Sequence, residues 1–527
     1  MSHLLKKKTY YNKGAKNIKM RAENSVKNTI MSIVTNITTI LVGFIAQKIF
    51  LSCLGIEYLG INGLFGNIIS MLGIVELGIG SAIIYNLYKP ISENNIEKIK
   101  SLMKFYKISY RIIAIIIMVI GIAIIPFLHI IVGEVNIPES IYVIYAFFLL
   151  DIICSYMLTY KRSILYANQK TYIVNIVHVL YLIIMNSIQI AFLLITKNYI
   201  IYLTIKVICR ILENVVITII ANKRYAYITE KNVEKLDKQT QKDILKKLKA
   251  LVYHKIGGFV VNGTDNIIIS MFLGVTWVGL YSNYSMIIVA INNIITQIYS
   301  SLTASIGNLL VERKKEKNYE IYKKLMFFNF WLSAFCAISF FIIVTNFISI
   351  IYGEQYILSQ LVVLILAINM YFQNMRKTMN SFKEAAGIFY EDRFVPIIES
   401  VVNIVFSVIL VKICGIAGVF IGTILSSMVL HVYSFPKYVY GPIMKRKKQE
   451  YIIDIIKYTL VLALAFVITL ATNQIVIFDN RYIDIVKNGI ICMIIPNLVF
   501  FVVYRKSEEY KYFKEMIKNM INKKLKR

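Results

Sequence analysis

The chain has 527 residues, of which 57% are apolar and only 17% are charged. A soluble domain carries roughly 45–50% apolar and about 25% charged residues, so this composition excludes a protein that covers itself with polar surface in water. The net charge of +30 would suggest nucleic acid, but the basic residues lie between apolar segments, which is typical of a membrane orientation signal. We therefore expect a lipid bilayer with an anionic inner leaflet as the partner, and no nucleic acid.

The N-terminal segment 1–28 is rich in lysine and precedes an apolar run. That run is about 25 residues long, which is enough to span a bilayer, and no small-residue cleavage site follows it. The pattern predicts a basic tail and an uncleaved first span rather than a signal peptide.

Apolar runs of spanning length predict an all-α, polytopic membrane protein with about fourteen transmembrane helices. Their approximate limits are 29–54, 60–88, 109–133, 139–160, 171–196, 199–222, 252–274, 278–306, 325–351, 356–375, 394–413, 415–437, 453–473 and 484–504. Because this number is even, both ends of the chain return to the same side of the membrane.

The distribution of lysine and arginine orients these spans. The N-terminal tail, the connections after even-numbered spans and the C-terminal tail hold about 52 of the 59 basic residues. The opposite connections hold only Lys197, Lys412, Arg481 and Lys487. Because basic residues accumulate on the cytoplasmic side, we expect both termini in the cytoplasm.

An internal repeat is visible in the turn after the first span. Leu54–Ile61 recurs as Leu273–Leu280, and four positions later Phe65 corresponds to Tyr284. The two copies join spans one and two and spans seven and eight, so each opens an equivalent six-helix unit. Because six is even, we expect two parallel repeats, and the polar faces of spans one and seven predict a hydrated cavity between them.

The repeat and the charge pattern divide the chain into six segments. They are a basic tail (1–28), a first lobe of six helices (29–222), a lysine-rich linker (223–251), a second lobe of six helices (252–437), two further spans with their preceding loop (438–504) and a second basic tail (505–527). Apolar residues recur at helical spacing in the last segment, which predicts an amphipathic helix on the anionic inner leaflet.

Span six carries a group of charges on one face. Lys206, Arg210 and Glu213 follow the spacing i, i+4 and i+7, which places them within about 60° of arc on a helix. Tyr199 and Tyr202 continue this face. On one interpretation, the two cations bind a pyrophosphate and the tyrosines contact sugar rings. On the other, Arg210 and Glu213 form an ion pair that neutralises itself.

Other charges lie inside predicted spans, where each costs about 2.5–3.5 kcal/mol on insertion scales and is functional by default. Lys255 and Lys48 are further candidates for anion binding, although Lys48 is close enough to the outer end of its span to reach the interface. Five carboxylates are candidates for binding a coupling ion: Asp265, Glu76, Asp151, Glu213 and Glu399.

The six cysteines and five histidines show neither a paired nor a metal-binding spacing, and no glycine-rich phosphate-binding loop is present. We therefore expect no metal site, no catalytic residue and no organic cofactor.

Several motifs resemble those of bacterial polysaccharide-biosynthesis membrane proteins. They are Phe44–Phe50, Gly55–Phe65, Glu76–Ala82, Tyr88–Ile91, Thr264–Ser270 and Val278–Tyr284. The chain is similar to Wzx-type oligosaccharide flippases, of the polysaccharide transporter family within the multidrug/oligosaccharidyl-lipid/polysaccharide (MOP) export superfamily.

The resemblance implies two six-helix lobes around a central cavity, with the last two helices peripheral, in a bacterial plasma membrane. It also implies that undecaprenyl-pyrophosphate-linked repeat units move from the inner to the outer leaflet by alternating access, coupled to an ion gradient (Na+ or H+) or to the membrane potential. The polysaccharide assembly machinery is then a natural partner.

Three alternatives stay open. A drug or cation antiporter shares the two-lobed architecture but favours a cavity dominated by carboxylates. Another flippase of the same type would carry lipid II or a teichoic acid precursor. A membrane-bound polymerase of the pathway is an enzyme, and it would need catalytic residues on a substantial outer loop, whereas the outer connections here are short.

Overall fold

The computed structural model describes residues 2–76, 79–230, 233–234, 236–242, 244, 263–311, 315–475, 478 and 480–525. These residues form helices and their connections, and no β-strand occurs among them. The predicted all-α fold is confirmed. The chain divides into two compact units, Met1–Lys255 and Ile256–Arg527.

Besides a helical stretch over 238–242, the first unit contains eight helices within the residues described. They are α1 (Ser2–Leu54), α2 (Ile56–Leu72), α3 (Ile79–Ser92), α4 (Ile96–Ile124), α5 (Leu128–Val132), α6 (Ile141–Ala167), α7 (Thr171–Thr196) and α8 (Tyr199–Arg224). A short 3₁₀ turn, Gly73–Glu76, follows α2. The predicted second span is therefore divided in two, at a glycine-rich stretch where helix propensity is low.

The second unit continues with a helical segment over 263–273 (α9). The helices that follow are α10 (Val275–Val311), α11 (Lys315–Ile351), α12 (Gln360–Ala386), α13 (Val395–Cys414), α14 (Ile416–Met428), α15 (Gly441–Met444), α16 (Lys448–Ile475), α17 (Arg481–Tyr504) and α18 (Glu508–Leu525). Between α14 and α15 the backbone winds as a π-helix, Val429–Tyr440, which contains Pro436.

Ten helices of the described chain are long and apolar enough to cross a membrane. Four predicted spans are not in this set, and each is missing for an identifiable reason. The second is divided between α2 and α3, the sixth carries three charges, the tenth becomes polar along α12, and the seventh is described only from residue 263. With this number of apolar helices the chain is a multi-pass membrane protein.

The repeat extends beyond the motif from which it was predicted. Gly55 and Gly274 end their helices with the same backbone angle, φ +93°. Three more positive-φ residues of the first unit, Gly133 (71°), Gln169 (57°) and Lys197 (50°), have counterparts at nearly constant separation along the chain: Gly353 (122°), Gly387 (69°) and Gly415 (59°). Left-handed backbone is rare outside glycine, so four matched positions indicate two copies of one helical unit.

Side chains on connections predicted to share a side of the membrane contact one another. On the predicted outer side, Tyr58 donates a hydrogen bond to Glu139. On the predicted inner side, Lys98 pairs with Asp237 and holds the pKa of that carboxyl well below its usual range. Lys100 likewise binds Glu230. The segment after α8 is thereby fastened to the inner end of α4.

The predicted C-terminal amphipathic helix is present as α18. Its first turn is fixed by Glu509, which lies 2.9 Å from the ammonium of Lys323 on α11. Burial alone would raise the pKa of Glu509, but the hydrogen bond from Lys323 lowers it. Phe513 stacks on Phe328, with ring centroids 5.6 Å apart. Part of the apolar face therefore contacts protein rather than lipid.

Candidate functional site

Six titratable side chains of the first unit meet inside the bundle, and we call them the charge cluster. Helix α6 supplies two of them, α7 supplies one, and α8 supplies three from successive turns of one face. They are Asp151, Arg162, His178, Lys206, Arg210 and Glu213.

Arg210 joins the two carboxylates of the cluster. Its Nη1 donates to Oε2 of Glu213 at 2.8 Å, and its Nε donates to Oδ1 of Asp151 at 3.3 Å. Lys206 lies 3.7 Å from the other oxygen of Asp151. Its ammonium is also 4.4 Å from the ring centroid of Phe148. Asp151 therefore compensates two cations at once.

Glu213 is the most buried member, since its side chain has 0% exposure. Besides Arg210 it contacts Arg162, at 3.2 Å, and Nδ1 of His178, at 2.9 Å. Arg162 also donates to the amide oxygen of Asn214 at 2.8 Å. The cluster thus holds three basic side chains, two of them arginines, against two carboxylates, and an excess of basic groups suits an anion.

The predicted pairing of Arg210 with Glu213 is present, but it is part of a larger network. Sequence spacing missed Arg162 and His178, which come from other helices. One signal for Arg162 existed, because Asp151 and Arg162 are eleven residues apart on α6, about three turns along one face. His178 had no comparable signal.

The predicted sugar-contacting tyrosines lie in an aromatic group at the outer end of the unit. Tyr199 is fully buried, with its ring 5.7 Å from Phe50 and 5.1 Å from Tyr58. Tyr202 is half-buried and stacks on Tyr199. In this conformation only Tyr202 retains surface, so a sugar contact by Tyr199 stays a prediction. Lys48 is exposed near the same end, as expected of a side chain that reaches the interface.

The second unit buries a different kind of site around Asp265. The hydroxyl of Thr423 lies 3.2 Å from each carboxylate oxygen of Asp265. Asn403 donates to Thr423 at 3.0 Å and also bonds to Asp265. Thr264 donates to the amide oxygen of Asn403 at 3.1 Å. We call these four residues the Asp265 group.

Close helix packing creates the Asp265 group. Gly418 and Gly422 are four residues apart on α14, and a Cβ at either position would collide with α13. Small residues at this spacing allow helix backbones to approach closely in membranes. The approach places Asn403 of α13 beside Thr423 of α14, facing α9. Within the described ranges, no cation lies at ion-pair distance from Asp265.

The remaining candidates are separate. Glu76 accepts a hydrogen bond from Tyr110 at 2.9 Å. Glu399 of α13 lies 2.7 Å from Nη2 of Arg376 on α12, and both are buried. Arg376 was predicted to follow span ten, but α12 continues to Ala386 and brings it inside the bundle. Lys255 lies outside the described residues.

The two sites have different chemical capacities. The charge cluster offers guanidinium and ammonium donors, which suit a phosphate or pyrophosphate. The Asp265 group offers carboxylate, hydroxyl and amide oxygens, which suit a proton or a hard cation. Among the described residues, no group of three histidine, cysteine or acidic side chains could hold a metal ion.

Solved transporters of the MOP superfamily have a similar architecture. The structure is similar to the lipid II flippase MurJ in an inward closed conformation, with a TM-score of 0.63 and 14% identity over 91% of this chain and 99% of that one. It is also similar to an inward-facing multidrug resistance MATE family transporter (0.60, 16%, 76% and 93%), and to the Vibrio cholerae MATE transporter VcmN (0.53, 15%, 78% and 94%). At these identities the likeness establishes the fold.

The sequence identifies the family. Residues 25–303 match the family model described as polysaccharide biosynthesis protein, and the chain belongs to that family. No curated protein sequence matches the chain significantly. The resemblance predicted from the motifs is confirmed.

Proposed function

We propose that this protein is a flippase for undecaprenyl-pyrophosphate-linked oligosaccharides, which it moves from the inner to the outer leaflet by alternating access. Membership of the polysaccharide biosynthesis family and the MOP fold support this assignment. The observation that carries it is the charge cluster, in which three basic side chains, two of them arginines, face two carboxylates inside the bundle. A pyrophosphate on a lipid carrier is the anion that this site would hold.

We propose a bacterial plasma membrane location with both termini in the cytoplasm. The lysine distribution gives the direction, and the contact of Lys98 with Asp237 supports placing those two connections on one side of the membrane. Enzymes that build the same polysaccharide would supply the cargo and polymerise it outside. The flippase itself then needs no catalytic residue.

Coupling belongs to the Asp265 group in this proposal. Asp151, Glu213 and Glu399 are compensated by cations, whereas Asp265 contacts neutral hydroxyl and amide groups. A carboxylate in that environment gains most from binding Na+ or a proton.

A cation or drug antiporter is the second candidate, because MATE transporters share the fold. The excess positive charge of the charge cluster opposes it. Lipid II and teichoic acid precursors share the lipid-linked phosphate, so they remain within the proposed class of cargo. A polymerase is disfavoured by the short outer connections.

The test is a set of replacements at Arg210, read out by binding of undecaprenyl pyrophosphate and by flipping in proteoliposomes. Losing one charge-assisted partner should weaken binding by about 1.5–3 kcal/mol, or about one to two decades in affinity. Arg210→Gln should therefore be more harmful than Arg210→Lys, and Lys206→Arg should be the mildest. Lys412 is an exposed charge at a helix end, so Lys412→Gln is the control and should bind undecaprenyl pyrophosphate normally.

The double variant Arg210→Gln with Glu213→Gln separates binding from structure. It keeps the balance of the cluster, because one cation and one carboxylate are removed together. If Arg210 holds the pyrophosphate, the double variant folds but binds no better than Arg210→Gln. If binding and flipping return, Arg210 serves only to neutralise Glu213 and the proposed anion site is wrong.

A further inference from the structure

A cavity of about 650 Å³ lies between α11, α17 and the C-terminal helix α18. This volume is within the range of small-molecule sites, about 300–1,000 Å³. Its walls are almost entirely apolar, and the aromatic rings of Phe327, Trp331 and Phe513 form one side. None of its lining residues belongs to the charge cluster or to the Asp265 group, and the proposed transport cycle assigns it no role.

The cavity opens toward lipid. Leu498 of α17 and Ile517 of α18 line it, and each is 54% exposed. Met516 beside them is also exposed. Because α11 and α17 are membrane-spanning and the apolar face of α18 is expected to lie on the inner leaflet, the solvent at this opening is acyl chains. An apolar cavity of this size that is continuous with the bilayer will be filled by a chain rather than by water.

The polar groups at the cavity are few and one of them is charged. Lys514 lines it from α18, whose sequence adds Lys511 and Lys518 on the same helix. The indole of Trp331 is already committed, since it donates to Asn497 at 2.6 Å. A lysine at the rim of an apolar cavity matches a lipid whose phosphate is negatively charged.

We propose that this cavity binds one anionic phospholipid, with an acyl chain between α11, α17 and α18 and its phosphate beside Lys514. The bound lipid completes the packing of α18, which is held to the bundle at its first turn by the pair of Glu509 with Lys323. The site differs from annular lipid contact because it selects the headgroup charge.

Trp331 makes the proposal testable in the full-length protein. The chain has two tryptophans, and the other, Trp277, lies at the start of α10 near the predicted outer surface. In the Trp277→Phe variant Trp331 is the only indole, and in Trp331→Phe Trp277 is the only one. Each protein is reconstituted in vesicles that contain increasing fractions of phosphatidylglycerol or phosphatidylcholine with dibrominated chains, which quench a nearby indole.

The expected result is saturable quenching of Trp331 at a low fraction of the brominated anionic lipid. Brominated phosphatidylcholine should quench it only in proportion to its bulk fraction, and Trp277 should respond equally to both lipids. One lysine near the headgroups contributes about 1 kcal/mol, so Lys514→Gln should weaken the selectivity about fivefold. Lys518→Gln removes the same charge from the same helix outside the cavity lining, and should change it far less.

Two results would overturn the proposal. Equal quenching of Trp331 by both lipids would reduce the cavity to unselective annular contact. Absence of quenching would show that no chain enters it. The comparison of the two lipids tests the proposal even if Lys514 is left unsubstituted. Its result does not depend on which cargo the protein carries.

Discussion

The buried pair of Arg376 and Glu399 predicts a large loss of stability when only one partner is removed. Nη2 of Arg376 lies 2.7 Å from Oε1 of Glu399, and the two side chains are 11% and 6% exposed. Neither of these atoms has a well-aligned hydrogen bond, so charge holds the contact. Glu399→Gln leaves the guanidinium uncompensated inside the bundle, which should cost about 3 kcal/mol or somewhat more.

The free energy of unfolding in mixed micelles measures this effect. Glu354→Gln is the matched control, because it breaks the pair with Arg481, in which the side chains are 62% and 58% exposed. An exposed pair contributes about 1 kcal/mol or less. The double variant Arg376→Gln with Glu399→Gln should cost less than the sum of the two single variants, by about 2 kcal/mol, because no unpaired charge is left.

This prediction also decides between two roles for Glu399. A carboxylate that carries the coupling ion would be expendable for stability but required for ion-dependent transport. If Glu399→Gln is no more costly than Glu354→Gln, or if the two single variants are additive, the reasoning from the buried pair is refuted. Loss of ion dependence in the same variant would then favour the coupling role.

Two further predictions concern coupling and topology. Asp265→Asn should abolish the dependence of flipping on an imposed Na+ or H+ gradient in proteoliposomes, while Thr264→Val, at the edge of the same group, should retain it. Wild-type gradient dependence in Asp265→Asn would place the coupling elsewhere. In a cysteine-free background, single cysteines in the 223–251 and 438–452 loops and at both termini should react with impermeant reagents only from the cytoplasm, and a cysteine at Arg481 only from outside. Labelling of either loop in intact cells would reverse the orientation.

Hydropathy predicted most of the fold because a helix that crosses the lipid must be an apolar run of spanning length, and such runs are visible in the sequence. The limits of α7 match the prediction, and those of α13 differ from it by one residue at each end. Hydropathy does not locate the end of a helix that continues, as a polar helix, beyond its apolar run. Helix α12 continues eleven residues beyond the predicted end of span ten, since its polar inner half is buried by neighbouring helices.

The candidate sites were predictable only in part, for a related reason. Spacing along α8 placed Lys206, Arg210 and Glu213 on one face, because that geometry is local. Their partners on α6 and α7 depend on which helices pack together, and one sequence carries no direct record of this. The same limit applies to Thr423 and Asn403, which are ordinary polar residues until close packing brings them to Asp265.

The matched left-handed positions mean that this protein contains its own homologue. At the two turns where the second unit has Gly387 and Gly415, the first has Gln169 and Lys197, and all four residues have a positive φ. A side chain in that conformation costs about 1–2 kcal/mol, and the greater freedom of glycine when unfolded offsets part of the gain from replacing it. Each unit thus shows which other residue is tolerated at the equivalent turn of its counterpart. Residues exchanged between equivalent turns offer a route to a more robust protein for transport assays, chosen without any other sequence.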